Sequence, residues 1–116
     1  MRGIIKIGSK DVEMLASAAS PVLYKKVFRE DWFKVLSETQ DDDSGVDGIG
    51  RFEQMGFIMA MQASKSLSQL ANIGYNEYLE WLEQFEAEAL LEAVGDIANL
   101  YRGQEVTYSE SKKEDG

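Results

Sequence analysis

The 116-residue chain contains neither cysteine nor histidine. Without cysteine it cannot form disulfides, iron–sulfur clusters or thiolate zinc sites. Without histidine it lacks the usual general base and the commonest transition-metal ligand. It also contains no G-x-S-x-G motif and no Walker A sequence. We therefore expect a protein that is not an enzyme and that binds neither a metal nor a cofactor.

Basic residues are scarce: 12 Lys and Arg stand against 21 Asp and Glu, for a net charge of −9. Proteins that bind nucleic acids need a basic surface, because affinity comes from neutralising phosphates. The imbalance lies after residue 34, where five basic residues face seventeen acidic ones. The sequence therefore predicts no nucleic-acid binding.

Long apolar runs are also missing. The longest, from Met55 to Ala63, is interrupted by Gln62 and falls short of the ~20 residues that a membrane span needs. The segment from Met1 to Lys6 does not have the pattern of a signal peptide. We expect no membrane association and a location in the cytoplasm.

The residues that are present, 44% hydrophobic and 28% charged, are typical of a globular protein. We predict a mainly α (α+β) fold with a short N-terminal β-hairpin followed by about four helices. A single domain is expected over residues 1–103, with a mobile acidic loop at 38–50. Residues 104–116 form a polar tail that we expect to be disordered.

The hairpin is predicted from two short apolar runs, Ile4–Ile7 and Val12–Leu15, separated by the turn-forming residues Gly8–Asp11. An isolated hairpin is barely stable in water. Its apolar face must therefore dock on the following helices or on another subunit, and the sequence leaves both alternatives open.

The first helix is predicted to begin at Ser20 as N-cap, with Pro21 at the first helical position. Apolar residues continue past Asp31 to Leu36, as one helix or two. The acidic loop follows, with four aspartates and three glycines between residues 38 and 50. No register of this loop supplies the ligands of an EF-hand, so we interpret it as a solvated loop.

The next helix is predicted from Phe52 to Leu70 and carries three methionines within seven residues. Methionine clusters fill gaps in ordinary cores and also line adaptable binding grooves. A further helix is predicted to follow Asn76 as N-cap and to include Trp81. The last helix is predicted to begin after Glu88 and to end at Arg102–Gly103.

These features together indicate an interaction module with apolar surface for a partner or for self-association. The residues predicted to contact that partner are Met55, Met59, Met61 and Trp81.

The chain resembles the tail assembly chaperones of long-tailed (siphovirus-type) phages and prophages of Gram-positive bacteria. The resemblance lies in the hairpin Ile4–Gly8, the helix from Ser20–Pro21 to Phe28, the segment Phe57–Ala60 and the run Tyr78–Phe85. The run Tyr-Leu-Glu-Trp-Leu-Glu-Gln-Phe at 78–85 is the most specific part.

This resemblance implies a chaperone in the cytoplasm of the infected host that is absent from the mature virion. It implies two partners: the tape-measure protein, which it keeps soluble, and the tail-tube protein, which it recruits. It also implies a longer product made by ribosomal frameshifting, and Lys112–Lys113 lie where that slip is expected.

A second hypothesis belongs to a different class: a small acidic regulatory protein that binds and blocks a host or phage protein. Its active surface would be Asp41–Asp43 and the glutamate-rich helices. Binding of that kind weakens steeply with added salt, whereas apolar binding does not.

Overall fold

The computed structural model describes the backbone of residues 1–40 and 46–115 and the side chains of residues 1–37 and 50–103. This part of the chain forms a two-stranded antiparallel hairpin followed by six helices. The elements are β1 (Arg2–Ile7), β2 (Lys10–Leu15), α1 (Ala19–Phe28), α2 (Trp32–Gln40), α3 (Val46–Ser64), α4 (Leu67–Leu70), α5 (Tyr75–Leu82) and α6 (Ala87–Asp115). The predicted fold class, mainly helical with an N-terminal hairpin, is confirmed.

The hairpin folds back within the chain and docks on its own helices. Ile7 pairs with Lys10 across a two-residue turn, and Gly8 has a φ of +64°, as the first position of a type II′ turn requires. The inner face of β2 packs on α3, and that of β1 packs on α6. Of the two alternatives that the sequence left open, docking on the chain's own helices is the one observed.

Helix α1 begins one residue before Ser20, so the predicted N-cap is corrected. Ser20 is fully buried, and its hydroxyl donates to Gln62 Oε1 at 2.5 Å. Ser17 Oγ instead accepts the backbone N–H of Ala19 at 3.1 Å. Pro21 is tolerated because the N–H groups of the first helical turn have no intrahelical acceptor.

The helices α1 and α2 are separate, which answers the question left open by their sequence. Arg29 ends α1 with a left-handed backbone at φ 60°, and its N–H bonds to the carbonyl of Lys25. Asp31 then accepts the backbone N–H of Phe33 at 3.0 Å, as side chains at helix starts do.

Both ends of the loop predicted at 38–50 are helical in the structure. Residues 38–40 belong to α2 and residues 46–50 to α3, whereas 41–45 lie outside the described residues. A glycine inside a helix lowers the stability of that helix by only about 1 kcal/mol. Burial of the following turn offsets this loss, since Phe52 is buried. The glycines of this segment therefore do not prevent the helix.

The helix predicted over Phe52–Leu70 is two helices. Helix α3 stops at Ser64, and Ser66 starts α4 with a reciprocal capping box to Gln69. Because of this break Leu67, which the pattern placed on the buried stripe, is 85% exposed.

The last two helices also differ from their predicted bounds. Helix α5 begins at Tyr75 and its N-cap is Gly74 rather than Asn76; the Gly74 N–H donates to Glu77 Oε1 at 2.7 Å. The backbone of α6 continues past Gly103 to Asp115, where the sequence predicted a disordered tail. A glycine not followed by proline weakens a helix without ending it. Among the described side chains, Tyr101 is the last one in the core.

Helix α3 is the centre of the fold and contacts the hairpin, α1, α2, α5 and α6. Gly56 lets α3 approach α6 closely, since a Cβ at this position would lie 2.9 Å from Ile97 Cδ1.

Aromatic rings fill the space between α1, α2, α3 and α5. Phe57 contacts Phe28, Tyr78 and Trp81, with ring centroids 5.4 to 6.4 Å apart. The core is therefore continuous from the hairpin to α5.

Candidate partner-binding groove

A groove runs along β2, between the hairpin and helices α3 and α5. We call it the hairpin groove; its volume is about 320 Å³. One wall is the strand segment 10–13 and the opposite wall is the end of α5 with the turn after it. Its lining side chains from the helical part are Ala60, Met61, Ser64, Trp81, Gln84 and Phe85.

The floor of the hairpin groove is apolar. Trp81 and Phe85 stand edge to face, with ring centroids 5.0 Å apart, and Val12 packs against the core beside them. The rim is polar: Lys10, Asp11 and Glu13 are exposed. Lys10 Nζ lies 5.9 Å from the centroid of the Phe85 ring, which is within reach of a cation–π interaction. An apolar floor inside a polar rim is the usual composition of a protein-binding surface.

The structure brings Met61 and Trp81 together in this groove and separates them from the other two predicted contact residues. Met55 and Met59 are fully buried in the core, so they have no surface to offer to a partner. Trp81 is only 4% exposed because its ring packs on Phe57 and Phe85. The predicted contact set is therefore corrected: of the four residues, Met61 alone is partly exposed, and Trp81 lines the groove as a buried side chain.

Several groove residues were not predicted from the sequence. Phe85 follows Trp81 by four positions, and this helical spacing was a signal for a shared face. Val12 and Ala60 carried no such signal, because their place in the groove depends on how the hairpin sits on α3.

A polar cluster links α1 to α3 and is structural. The Tyr24 hydroxyl donates to Gln54 Oε1 at 2.6 Å, and Arg51 pairs with Glu30 beside it. Burial raises the pKa of Tyr24 to about 12, and the nearby Glu30 carboxylate adds to the rise. At neutral pH the phenol therefore stays protonated and acts as a hydrogen-bond donor.

A second, smaller recess of about 210 Å³ lies where α5 leads into α6. Leu82, Phe85 and Leu90 give it an apolar lining, and Glu53 and Glu86 reach into it. Burial raises the pKa of Glu53, which has no ion pair or hydrogen bond within the described residues. Burial of a carboxylate without a partner disfavours its charged form, so Glu53 is expected to lower the stability of the fold at neutral pH.

In the described part of the chain, no group of three or more acidic side chains could hold a metal ion. Over the same residues no helix is both long and apolar enough to cross a membrane. Comparison of the chain with protein-family models, with curated proteins and with solved structures finds no match. The hairpin groove is therefore the feature on which a functional argument rests.

Proposed function

We propose that this protein is a non-enzymatic phage tail assembly chaperone that binds the tape-measure protein and keeps it soluble. The observation that carries the binding role is the hairpin groove, with Met61 and Phe85 partly exposed at an apolar opening. The choice of partner comes from the resemblance of the hairpin, the first helix and the run at 78–85 to such chaperones. Recruitment of the tail-tube protein in the host cytoplasm belongs to the same proposal.

The size and composition of the groove favour reversible binding. Its volume of about 320 Å³ accepts a few side chains, whereas permanent complexes bury much larger apolar interfaces. The net charge of −9 keeps the protein itself soluble. A chaperone needs both properties, because it has to release its client when the client assembles.

The proposal is tested by co-expression with the tape-measure protein of the same phage genome and affinity capture through a tag on this chain. Capture is expected to persist at high salt, since apolar contacts are not screened. Met61→Glu should reduce the captured amount at least about tenfold, because one desolvated carboxylate costs more than 1.4 kcal/mol.

The matched control is Leu67→Glu, which adds the same charge at an exposed apolar residue outside the groove. This variant should capture the tape-measure protein as well as the unmodified chain does. Equal loss in both variants, or none in either, would mean that the groove is not the binding site.

The acidic-regulator hypothesis is the second candidate, and one observation favours it. Glu80, Glu83 and Glu86 are all exposed at α5 and the turn that follows it. A partner held by these carboxylates would be released by added salt. Capture that is lost at high salt and unaffected by Met61→Glu would support this hypothesis over the chaperone.

A further inference from the structure

The hydrogen bonds at the open end of the hairpin show which way each backbone group of β2 points. Met1 and Ala16 exchange two hydrogen bonds, at 2.5 and 2.7 Å. In an antiparallel pair, bonded and non-bonded positions alternate. In β2, Lys10, Val12 and Met14 therefore face β1, and Asp11 and Glu13 direct their N–H and C=O groups away from it.

These outward backbone groups have no partner in the described part of the chain. No hydrogen bond joins the backbone of Asp11 or Glu13 to α3 or α5, and both residues are exposed. The hairpin has only two strands, so the outer side of β2 is a sheet edge. An open edge of this kind pairs readily with a further strand.

The open edge and the hairpin groove are adjacent. The groove is lined by residues 10–13 on the strand side and by Met61, Trp81 and Phe85 on the helical side. A strand added beside β2 would have alternate side chains on opposite faces. One set would point into the apolar groove, and the other set would lie on the solvent face with the side chains of Asp11 and Glu13.

The charges on that solvent face specify the second set. Glu13 already pairs with Arg2 at 3.0 Å. Asp11 stands opposite Lys6 in the register but forms no ion pair with it or with any other described residue. A lysine or arginine of the added strand, placed beside Asp11, would complement the free carboxylate. The segment that fits this site therefore has apolar residues at every second position and a basic residue between them.

Strand β1 of a second copy does not meet this description. Its outward residues Arg2 and Lys6 are basic, but the side chains on its other face, Ile5 and Ile7, are buried in their own core. A second copy pairing through β1 would therefore leave the floor of the groove empty. Pairing through β2 of a second copy gives the same result, because Val12 and Met14, the inward side chains of that strand, pack in their own core. The occupant that fits both the edge and the floor is an extended segment of another protein.

We infer that the hairpin groove binds an extended partner segment, with alternating apolar and basic residues, as a third strand beside β2. The inference rests on the proposed function, and it specifies the conformation in which the client is held. The client is held in an extended conformation, through backbone groups that any sequence possesses. Side chains in the groove add the preference for alternating residues.

The test measures amide hydrogen exchange by NMR with a capped peptide of alternating valine and lysine as the probe. Strand addition should slow exchange of the Asp11 and Glu13 amides by about tenfold or more, because they gain hydrogen-bond acceptors. The amides of Val12 and Met14, which bond to β1, should change less. A peptide with the same lysines and valines in two separate blocks should protect both amides less, because its valines cannot all point into the groove.

A pair of proline variants tests the backbone contact in a second way. Glu13→Pro removes an N–H that faces the groove, at an edge position where proline is compatible with a strand. Its control is Ile4→Pro, which removes an outward N–H at the paired position of β1. Peptide affinity should fall at least tenfold in the first variant and stay within twofold in the second.

Strand addition would be overturned if the amides of Asp11 and Glu13 exchanged at an unchanged rate in the presence of saturating alternating peptide. It would also be overturned if the peptide did not bind. Protection of these amides by raising the protein concentration alone would also overturn it, since the occupant would then be a second copy. If Glu13→Pro fails to fold, the exchange pattern of the unmodified chain decides.

Failure of this inference can be told apart from failure of the proposed function. A Glu13→Pro variant that binds no peptide yet still captures the tape-measure protein would refute strand addition and leave the chaperone proposal standing. An unmodified chain that shows the exchange pattern yet captures no tape-measure protein would refute the chaperone and leave the strand site.

Discussion

The aromatic cluster around Trp32 and the hairpin groove use the same kinds of side chain in opposite ways. The Trp32 ring is enclosed by Tyr24, Phe52 and Tyr101, with centroids 4.9 to 5.4 Å away, and is 1% exposed. In the groove, Trp81 is 4% exposed, and the side chains that are partly exposed at the opening are those of Phe85 and Met61. The difference is the covering element: the aromatic cluster lies between helices, whereas a two-stranded sheet does not extend over the end of α5.

Helix α3 shows the same difference between two of its methionines. Met59 lies in the core and is fully buried, and Met61, two residues later, lines the hairpin groove. Two residues on a helix point in nearly opposite directions, because each residue turns the chain by about 100°. One helix therefore supplies both the centre of the core and a wall of the groove.

The largest expected effect is at the enclosed cluster. Trp32→Ala should lower the free energy of unfolding by about 3 to 5 kcal/mol, because the cavity it leaves is enclosed on all sides. Urea denaturation followed by circular dichroism measures this loss. The neighbouring Phe33 is 62% exposed, so Phe33→Ala should change stability by no more than about 0.5 kcal/mol. Similar losses in the two variants would mean that the Trp32 ring is not enclosed.

The two methionines of α3 provide the next comparison. Met59→Ala should cost about 2 to 5 kcal/mol, the range for a buried methionine. Met61→Ala should cost less than about 1 kcal/mol, because water can enter the widened groove and no closed cavity forms. The ratio of the two losses in denaturant unfolding measures how open the groove is. Equal losses would mean that the groove is closed in solution.

A smaller effect is expected where α1 is fixed to α3. Ser20→Ala removes the hydroxyl that bonds to Gln62 Oε1 and leaves the buried amide oxygen without that donor. This should cost about 1 to 3 kcal/mol, the penalty for an unsatisfied buried polar group. The control Ser68→Ala changes an exposed serine and should be nearly neutral by the same measurement. A neutral Ser20→Ala would show that another donor replaces the hydroxyl.

The smallest effect is expected for Glu53, in the recess where α5 leads into α6. Burial raises the pKa of Glu53 above its ordinary value of 4.5, so the folded state holds its proton to higher pH than the unfolded state. The contribution of Glu53 to stability should therefore fall as pH rises from about 4.5 through the raised pKa. Glu53→Gln should remove this fall and raise the stability at neutral pH.

The measurement is the thermal midpoint at several pH values, with Glu80→Gln as control because Glu80 is exposed. The difference between the two variants should be largest at neutral pH and vanish in acid. A Glu53→Gln variant that is less stable than the parent at neutral pH would mean that the carboxylate has a stabilising partner.

The hairpin and the type of most helices could be predicted from local patterns, whereas several boundaries do not follow from the spacing of apolar residues. Ser20 before Pro21 looks like an N-cap in isolation, yet Gln62 takes its hydroxyl from 42 residues away. Leu67 fits the apolar period of α3, yet the capping box of Ser66 and Gln69 starts a new helix before it. In each case a hydrogen bond decided where the helix begins, and the spacing of apolar residues does not reveal such bonds.

The candidate site was predictable only in part, for the same reason. The sequence indicated an adaptable surface among the methionines of α3 and at Trp81, and Met61 and Trp81 do line the groove. It could not show that Met55 and Met59 face the opposite way into the core. An apolar period marks which residues share a face, but not which faces another element covers.

The sequence by itself determined the acidic charge, the absence of histidine and cysteine chemistry, the N-terminal hairpin and the helical class. These follow from composition and from spacing along the chain, which are local properties. The tertiary structure alone decided that β2 has an edge that no other described segment pairs with, and that this edge lies beside Trp81 and Phe85. Which surfaces stay uncovered depends on how segments that are distant in the sequence pack together. The local sequence around each surface does not contain that information.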